Sequence, residues 1–186
     1  MVGFGGSGRL LDAVLWAGAV CAGFAAQHDY GLDGGRPALG SKTWPDPAGL
    51  PIPTGPATLI MFAHPRCPWT GASIAGPRRR QAACGDRLRV HVASWRPDDS
   101  WVQTDCWRRT VEASPRLFGA HTSGQVFVDD RERRLVLNGG ITPAKGHEGD
   151  SPGRRTVLAL AHGSGGPDVT TTPVYRCALD APGARR

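Results

Sequence analysis

The chain has 186 residues, which is enough for one ordinary domain with appendages and for a hydrophobic core that needs no disulfide support. Its 40% hydrophobic content excludes a disordered chain, although 26 glycines and 16 prolines indicate long irregular connections. The net charge of +6 comes mostly from arginines in short, scattered clusters without interleaved aromatic residues, which favours a solvated surface and argues against a nucleic-acid partner.

The N-terminal segment combines a positive flank with an apolar run. Arg9 precedes residues 10–26, in which Asp12 is the one charged residue. This pattern predicts an export signal or a membrane anchor over residues 1–28, with the following domain on the extracytoplasmic side of the cell envelope. An amphipathic cytosolic helix is the alternative interpretation. A linker rich in glycine and proline is expected over 29–57.

Residues 58–180 are predicted to form one domain, with a short tail over 181–186. It is expected to begin with a buried strand over 58–63, a helix over 70–83 and an alternating strand over 88–95. One or two helical turns follow within 100–118, interrupted at Pro115. The domain is then expected to end with a hairpin of 125–130 with 134–138 and a helix over 154–162. This order indicates a βαβ crossover followed by a hairpin and a covering helix.

The junction of the first strand and the first helix carries Cys67. Unpaired backbone N–H groups and the helix dipole at such a junction stabilise a thiolate, so Cys67 is a candidate reactive thiol. The alternative is that Cys67 acts as a small half-buried hydrophobe. His64, three residues earlier, is either a proton partner of the thiol or a residue at the strand end that points to water.

The five cysteines are too few and too irregularly spaced for a disulfide scaffold or a zinc-knuckle pattern, and they suit thiol chemistry better. Cys84 would lie about 25 Å from Cys67 along the first helix and cannot reach it. Cys84 and Cys106 could form a structural disulfide in an oxidising compartment.

Five sequence motifs carry a resemblance between this domain and a known protein family. They are residues 64–70 (His-Pro-Arg-Cys-Pro-Trp-Thr), 118–124 (Phe-Gly-Ala-His-Thr-Ser-Gly), 139–142 (Gly-Gly-Ile-Thr), 146–150 (Gly-His-Glu-Gly-Asp) and 173–177 (Pro-Val-Tyr-Arg-Cys). With them, residues 58–180 resemble the thioredoxin-like superfamily and, more narrowly, the RedB-like group of exported bacterial proteins. The resemblance implies an α/β thioredoxin-like fold, with a central mixed sheet of about four strands flanked by helices and an N-terminal hydrophobic helix.

The resemblance also implies a set of catalytic residues. Thioredoxins carry a second thiol close to the first, but here Trp69 and Thr70 fill the two positions where it would stand. Any resolving thiol must therefore come from elsewhere in the chain, and Cys177 is the first choice because it ends the last motif. The catalytic set expected on this basis is Cys67, Cys177, His64 and Thr70.

The substrate-binding residues implied by the resemblance are Trp69, Thr122 and Ser123. Thr122 and Ser123 stand at the turn where thioredoxins place a cis-proline opposite the active cysteine. The first functional hypothesis is therefore an exported, membrane-anchored thiol-disulfide oxidoreductase or peroxidase. It needs no cofactor and acts on protein or small-molecule thiols and disulfides.

The second hypothesis is a degenerate thioredoxin-like binding module that holds a client protein or a metal without turnover. Its soft nitrogen and sulfur ligands for copper or zinc would be His64, Cys67, His147 and Cys177. A third interpretation is a structural scaffold in an envelope complex. The oligomeric state does not follow from the sequence.

Overall fold

The computed structural model describes residues 6–34, 56–64, 67, 69, 84–94, 108, 109, 115, 118–164, 170–175 and 177–179. The chain forms two compact units, Met1–Asp33 and Gly34–Arg186. The predicted linker falls mostly on residues 35–55, and the predicted helix over 70–83 and the tail over 181–186 also lie outside the described residues.

The first unit is one long helix, α1, which spans Gly6–Leu32 and continues into residues that the sequence pattern assigns to the linker. Its segment Gly8–Leu32 is long and apolar enough to cross a membrane by length and composition. Large apolar side chains stand exposed along it, among them Leu15 at 63% and Trp16 at 70%. An N-terminal apolar helix of this kind is typical of a signal or membrane anchor.

The second unit is built on a mixed sheet. The described strands are β1 (Ala57–Ala63), β2 (Leu88–Ser94), β3 (Arg108–Arg109), β4 (Val126–Asp129), β5 (Leu135–Gly139) and β6 (Thr170–Thr171), in the order β3-β2-β1-β4-β5-β6. Strand β1 pairs parallel with β2 and antiparallel with β4, and β4 and β5 form an antiparallel hairpin. The edge strands β3 and β6 pair parallel with β2 and β5.

Strand β1 is buried along its whole length because both faces of the sheet are covered. Leu59 and Met61 belong to one apolar cluster, which Val157 and Ala161 of helix α2 (Pro152–Ala161) complete. The alternate residues Ile60 and Phe62 belong to a second cluster, which includes Phe118, Phe127 and Leu179. Ser151 caps α2 by accepting a hydrogen bond from the backbone N–H of Arg154 at 3.2 Å, and Pro152 occupies the first turn.

The predicted fold class is confirmed: the second unit has a thioredoxin-like α/β fold. The expected strands, the hairpin and the last helix are all present within a few residues of their predicted bounds. The expectation of helical turns within 100–118 is wrong at Arg108–Arg109, which is extended and pairs with β2. Local periodicity missed this strand because its pairing with His91 and Val92 is a tertiary contact.

Candidate functional site

Two thiols meet beyond the end of β1. The sulfur atoms of Cys67 and Cys177 lie 3.3 Å apart, and neither cysteine forms a disulfide in this structure. A disulfide bond is about 2.05 Å long, so a small movement of one side chain brings the two atoms to bonding distance. Cys67 is buried, with 4% of its surface exposed, and Cys177 is partly exposed. We refer to these two residues as the cysteine pair.

The end of β1 fixes one member of the cysteine pair. The strand stops at Ala63, and the backbone N–H of Cys67 donates a hydrogen bond of 3.1 Å to the carbonyl of His64. His64 is 7% exposed, so the interpretation that it points to water is wrong. The apolar clusters on both faces of the sheet bury the strand end, which the local sequence His-Pro-Arg over residues 64–66 does not reveal.

The C-terminal segment fixes the other member. Thr122 and Ala178 form an antiparallel bridge, flanked by hydrogen bonds of 2.8 Å from Ser123 N–H to the Cys177 carbonyl and from Leu179 N–H to the His121 carbonyl. Leu179 is completely buried in the cluster of phenylalanines around Phe62. The hydrophobic anchor two residues beyond Cys177 and the flanking bonds together set the position of its thiol.

The turn over 121–125 connects the two segments to the sheet. Gly124 N–H donates to the Phe62 carbonyl at 2.6 Å, and Phe62 N–H donates to the Gln125 carbonyl at 2.9 Å. The hydroxyl of Ser123 accepts a hydrogen bond of 3.0 Å from the backbone N–H of His64. Ser123 therefore contacts the backbone on both sides of the cysteine pair.

Gln125 supports this turn from the interior of the domain. Its side-chain oxygen accepts from the His121 N–H at 3.2 Å, and its amide nitrogen donates to Asn138 Oδ1 at 2.9 Å. The Gln125 and Asn138 side chains are both buried, so each satisfies a polar group that would otherwise be costly to bury. The sequence predictions do not include this role, although a lone glutamine directly before an apolar strand is a usable signal.

Trp69 lies against Gly146. A Cβ atom added to Gly146 would come within 2.7 Å of the Trp69 ring, and the backbone of Gly146 has φ +70°. Glycine is needed here both for the close approach and for the left-handed backbone. The contact joins the cysteine motif to the motif that begins at Gly146.

The structure brings together most, but not all, of the predicted site residues. Cys67, Cys177, His64, Thr122 and Ser123 converge within one set of hydrogen bonds. Thr122 and Ser123 are buried, and their role in binding substrate stays a prediction.

Two other residues of the sequence-based predictions, Thr70 and Cys106, are outside the described residues. Cys84 is a free, buried thiol of the hydrophobic core, so the suggested Cys84–Cys106 disulfide is not formed.

The proposed metal set is not assembled in this geometry. Among the described residues, which include His64, Cys67, His147 and Cys177, no group of three or more His, Cys, Asp or Glu side chains is arranged to hold a metal ion. His147 is exposed. The sequence could not predict this, because the set depended on distances between separate loops.

A buried carboxyl group lies at the opposite end of β1 from the cysteine pair. Asp129 Oδ1 accepts from the Thr58 N–H at 3.0 Å, whereas Oδ2 has no hydrogen-bond partner among the described residues. Burial raises the pKa of Asp129 from 3.8 to about 7, and the hydrogen bond from Thr58 opposes this rise only partly. Because Asp129 pairs with Thr58 at the start of β1, it does not belong to the cysteine site.

No family model matches this sequence, and no curated protein matches it. Among solved structures, an uncharacterized conserved protein from Geobacillus kaustophilus is 18% identical, with a TM-score of 0.50 over 67% of this chain and 76% of its own. A hypothetical protein, SMc02350, from Sinorhizobium meliloti 1021 is 23% identical, with a TM-score of 0.49 over 68% of this chain and 80% of its own.

A third solved structure is that of a protein described as a thiol:disulfide interchange protein, DsbE, from Chlorobium tepidum. It is 19% identical, with a TM-score of 0.38 over 70% of this chain and 96% of its own. At these identities the likenesses concern the fold alone.

Proposed function

We propose that this protein is a membrane-anchored thiol-disulfide oxidoreductase of the cell envelope whose working unit is the cysteine pair. The observation that carries the proposal is the 3.3 Å separation of the Cys67 and Cys177 sulfur atoms. Two thiols in contact, held from opposite sides by backbone hydrogen bonds, can exchange between dithiol and disulfide without a large rearrangement of the fold.

The net reaction is balanced in thiols and electrons. One thiolate of the pair attacks an external disulfide R–S–S–R′, which forms a mixed disulfide and releases R′–S⁻. The second thiolate then attacks the protein sulfur of that mixed disulfide, which closes the Cys67–Cys177 bond and releases R–S⁻. The protein loses two electrons, the external disulfide gains them, and the two thiol protons leave with the products. In the reverse direction the oxidised pair oxidises two external thiols.

Two assignments of the first attack give this same net reaction. The position of Cys67 at the predicted strand-to-helix junction assigns it to Cys67, with His64 as the proton partner of the thiol. The exposures favour Cys177, because an external disulfide reaches a partly exposed thiol more readily than one that is 4% exposed. Trapping experiments on the two single variants, Cys67→Ser and Cys177→Ser, distinguish the two orders: the variant that retains the attacking thiol accumulates the mixed disulfide faster.

The RedB-like assignment belongs to this proposal and is supported by the way the motifs meet. Ser123 joins the second motif to the first through His64 and to the last through Cys177. Trp69 joins the first motif to Gly146 of the fourth. Gly140 of the third motif lies against Pro173 of the fifth. All five motifs are therefore linked to one another by contacts.

The direct test is turnover with a small disulfide. Reduced full-length protein in detergent is mixed with oxidised glutathione, and release of reduced glutathione is followed with time. We expect wild type to release one equivalent more reduced glutathione than Cys67→Ser or Cys177→Ser, because only the complete pair displaces the second glutathione. We expect wild-type behaviour in Cys84→Ala, because Cys84 lies in the hydrophobic core. Wild type that releases no more reduced glutathione than the two serine variants would contradict the proposal.

A further inference from the structure

Three hydrogen bonds run from one cysteine backbone to the other. Cys67 N–H donates to the His64 carbonyl at 3.1 Å, His64 N–H donates to the Ser123 hydroxyl at 3.0 Å, and Ser123 N–H donates to the Cys177 carbonyl at 2.8 Å. Ser123 contributes both of the bonds that cross between chain segments. It is completely buried, so water does not replace a bond that is lost.

We propose that Ser123 is a positioning residue that holds the Cys67 and Cys177 thiols at contact distance and thereby sets the equilibrium between the dithiol and the disulfide. This inference rests on the proposed function and adds a residue that touches neither sulfur atom in the proposed chemistry. Its hydroxyl fixes the segment that leads to Cys67, and its backbone N–H fixes the segment that carries Cys177.

The register of the C-terminal segment supports this role. Because Thr122 and Ala178 form a non-hydrogen-bonded antiparallel pair, Ser123 stands directly across from Cys177, with both side chains on the same face. That face looks toward the end of β1, since Ser123 Oγ contacts His64 and Cys177 Sγ contacts Cys67. Ser123 and Cys177 therefore contact the same turn, residues 64–67, from neighbouring positions.

The proposed role of Ser123 predicts the direction in which the equilibrium constant for disulfide closure changes. Intramolecular disulfide formation depends on how often the two thiols meet, so a constraint that keeps them together raises the equilibrium constant for closure. Ser123→Ala keeps the backbone N–H bond to Cys177 and removes only the bond from His64. The Cys67 segment is then no longer tied to the Cys177 segment through this residue.

The structure offers a chemically matched control. Ser151 is also a buried serine whose hydroxyl accepts a backbone N–H, that of Arg154, but it caps helix α2. Ser151→Ala therefore deletes the same kind of bond, at 3.2 Å instead of 3.0 Å, in a different part of the domain. A purely structural loss affects both variants alike, whereas positioning of the thiols is affected only in Ser123→Ala.

The test is a redox titration of the full chain in buffers of reduced and oxidised glutathione, with acid quenching and mass analysis of the peptides that contain Cys67 and Cys177. We expect Ser123→Ala to lower the equilibrium constant for closure at least tenfold, equivalent to about 30 mV for a two-electron couple. We expect Ser151→Ala to stay within twofold of wild type. Equal constants for the two variants would overturn the inference.

A second measurement needs no variant to fold. Since coupling is reciprocal, closing the disulfide in wild type should slow hydrogen exchange of the His64 and Ser123 amides at least tenfold more than that of the Arg154 amide. Equal slowing of all three amides contradicts the role of Ser123. If wild type forms no Cys67–Cys177 disulfide at any glutathione ratio, the proposed function itself fails and this inference falls with it. If only the role of Ser123 is wrong, wild type still forms the Cys67–Cys177 disulfide in the titration.

Discussion

The thiols of Cys67 and Cys177 are in contact across 110 positions of sequence, with 3.3 Å between their sulfur atoms. A local dithiol closes a ring of only a few residues, whereas this pair closes a loop that contains most of the sheet. Oxidation would therefore change the stability of the whole domain in addition to the chemistry of one turn.

The oxidised domain is expected to be more stable than the reduced domain by about 2–4 kcal/mol, since a disulfide that closes a long loop restricts the unfolded chain. Urea unfolding of the oxidised and reduced protein measures the difference. The Cys177→Ser variant is the control and should unfold at the same urea concentration under both conditions. Equal urea midpoints for oxidised and reduced wild type would show that the Cys67 and Cys177 thiols do not form a disulfide.

Asp129 predicts a dependence of stability on pH. Because its folded-state pKa is about 7 against 3.8 in the unfolded chain, the folded protein holds a proton that the unfolded chain releases between these values. Stability contributed by this group is thus present at about pH 4, falls as the pH rises through the window to about 7, and changes little above it.

The variant Asp129→Asn tests this dependence. An asparagine keeps an acceptor for the Thr58 N–H and removes the buried charge, so we expect it to be more stable than wild type by about 1–3 kcal/mol at pH 8. The advantage should shrink toward pH 4. Asp130→Asn is the contrasting neighbour: it keeps the Oδ1 acceptor for the Arg134 N–H but loses the Oδ2 contact with the Arg134 guanidinium, so it should be destabilised at pH 8. An advantage of Asp129→Asn that is constant with pH would contradict the assignment.

Gly146 is expected to be intolerant of any side chain. Its φ of +70° and the approach of the Trp69 ring combine in Gly146→Ala, which should lose about 2–3 kcal/mol of stability. Gly163→Ala is the matched control: its φ is +79°, but no atom of the described part of the chain lies within 4 Å of the added Cβ, and we expect a loss of only about 1 kcal/mol. Similar losses in the two variants would mean that Trp69 adjusts freely.

Helix α1 is expected to hold the protein in a membrane. Replacing the exposed Leu15 by arginine places a charge near the middle of the apolar segment, at a cost of about 2.5–3.5 kcal/mol for insertion. Carbonate extraction of cell membranes should release more of Leu15→Arg than of wild type or Leu15→Ala. Complete extraction of wild type by carbonate would contradict an anchoring role.

Much of the fold follows from local patterns in the sequence. The apolar run of β1, the alternation of β2 and the charged turn between β4 and β5 determine these elements, and all four strands appear where expected. Strand β3 does not, because two arginines carry no strand signal and become extended only through pairing with β2.

The site is less predictable than the sheet. Only the resemblance predicts Cys177 as the partner of Cys67, because no local pattern connects residues 110 positions apart. The contributions of Ser123 and Gln125 depend on hydrogen bonds between separate loops, which spacing along the chain does not encode. The burial of His64 is likewise a result of packing on both faces of β1.

The most direct test of the account is mass mapping of the disulfides in the protein after equilibration with oxidised glutathione. We predict a single dominant cross-linked peptide pair that joins Cys67 to Cys177, with Cys84 recovered as a free thiol because it is buried in the core. Recovery of both Cys67 and Cys177 as free or separately glutathionylated residues, under conditions where the protein remains folded, would contradict the central claim.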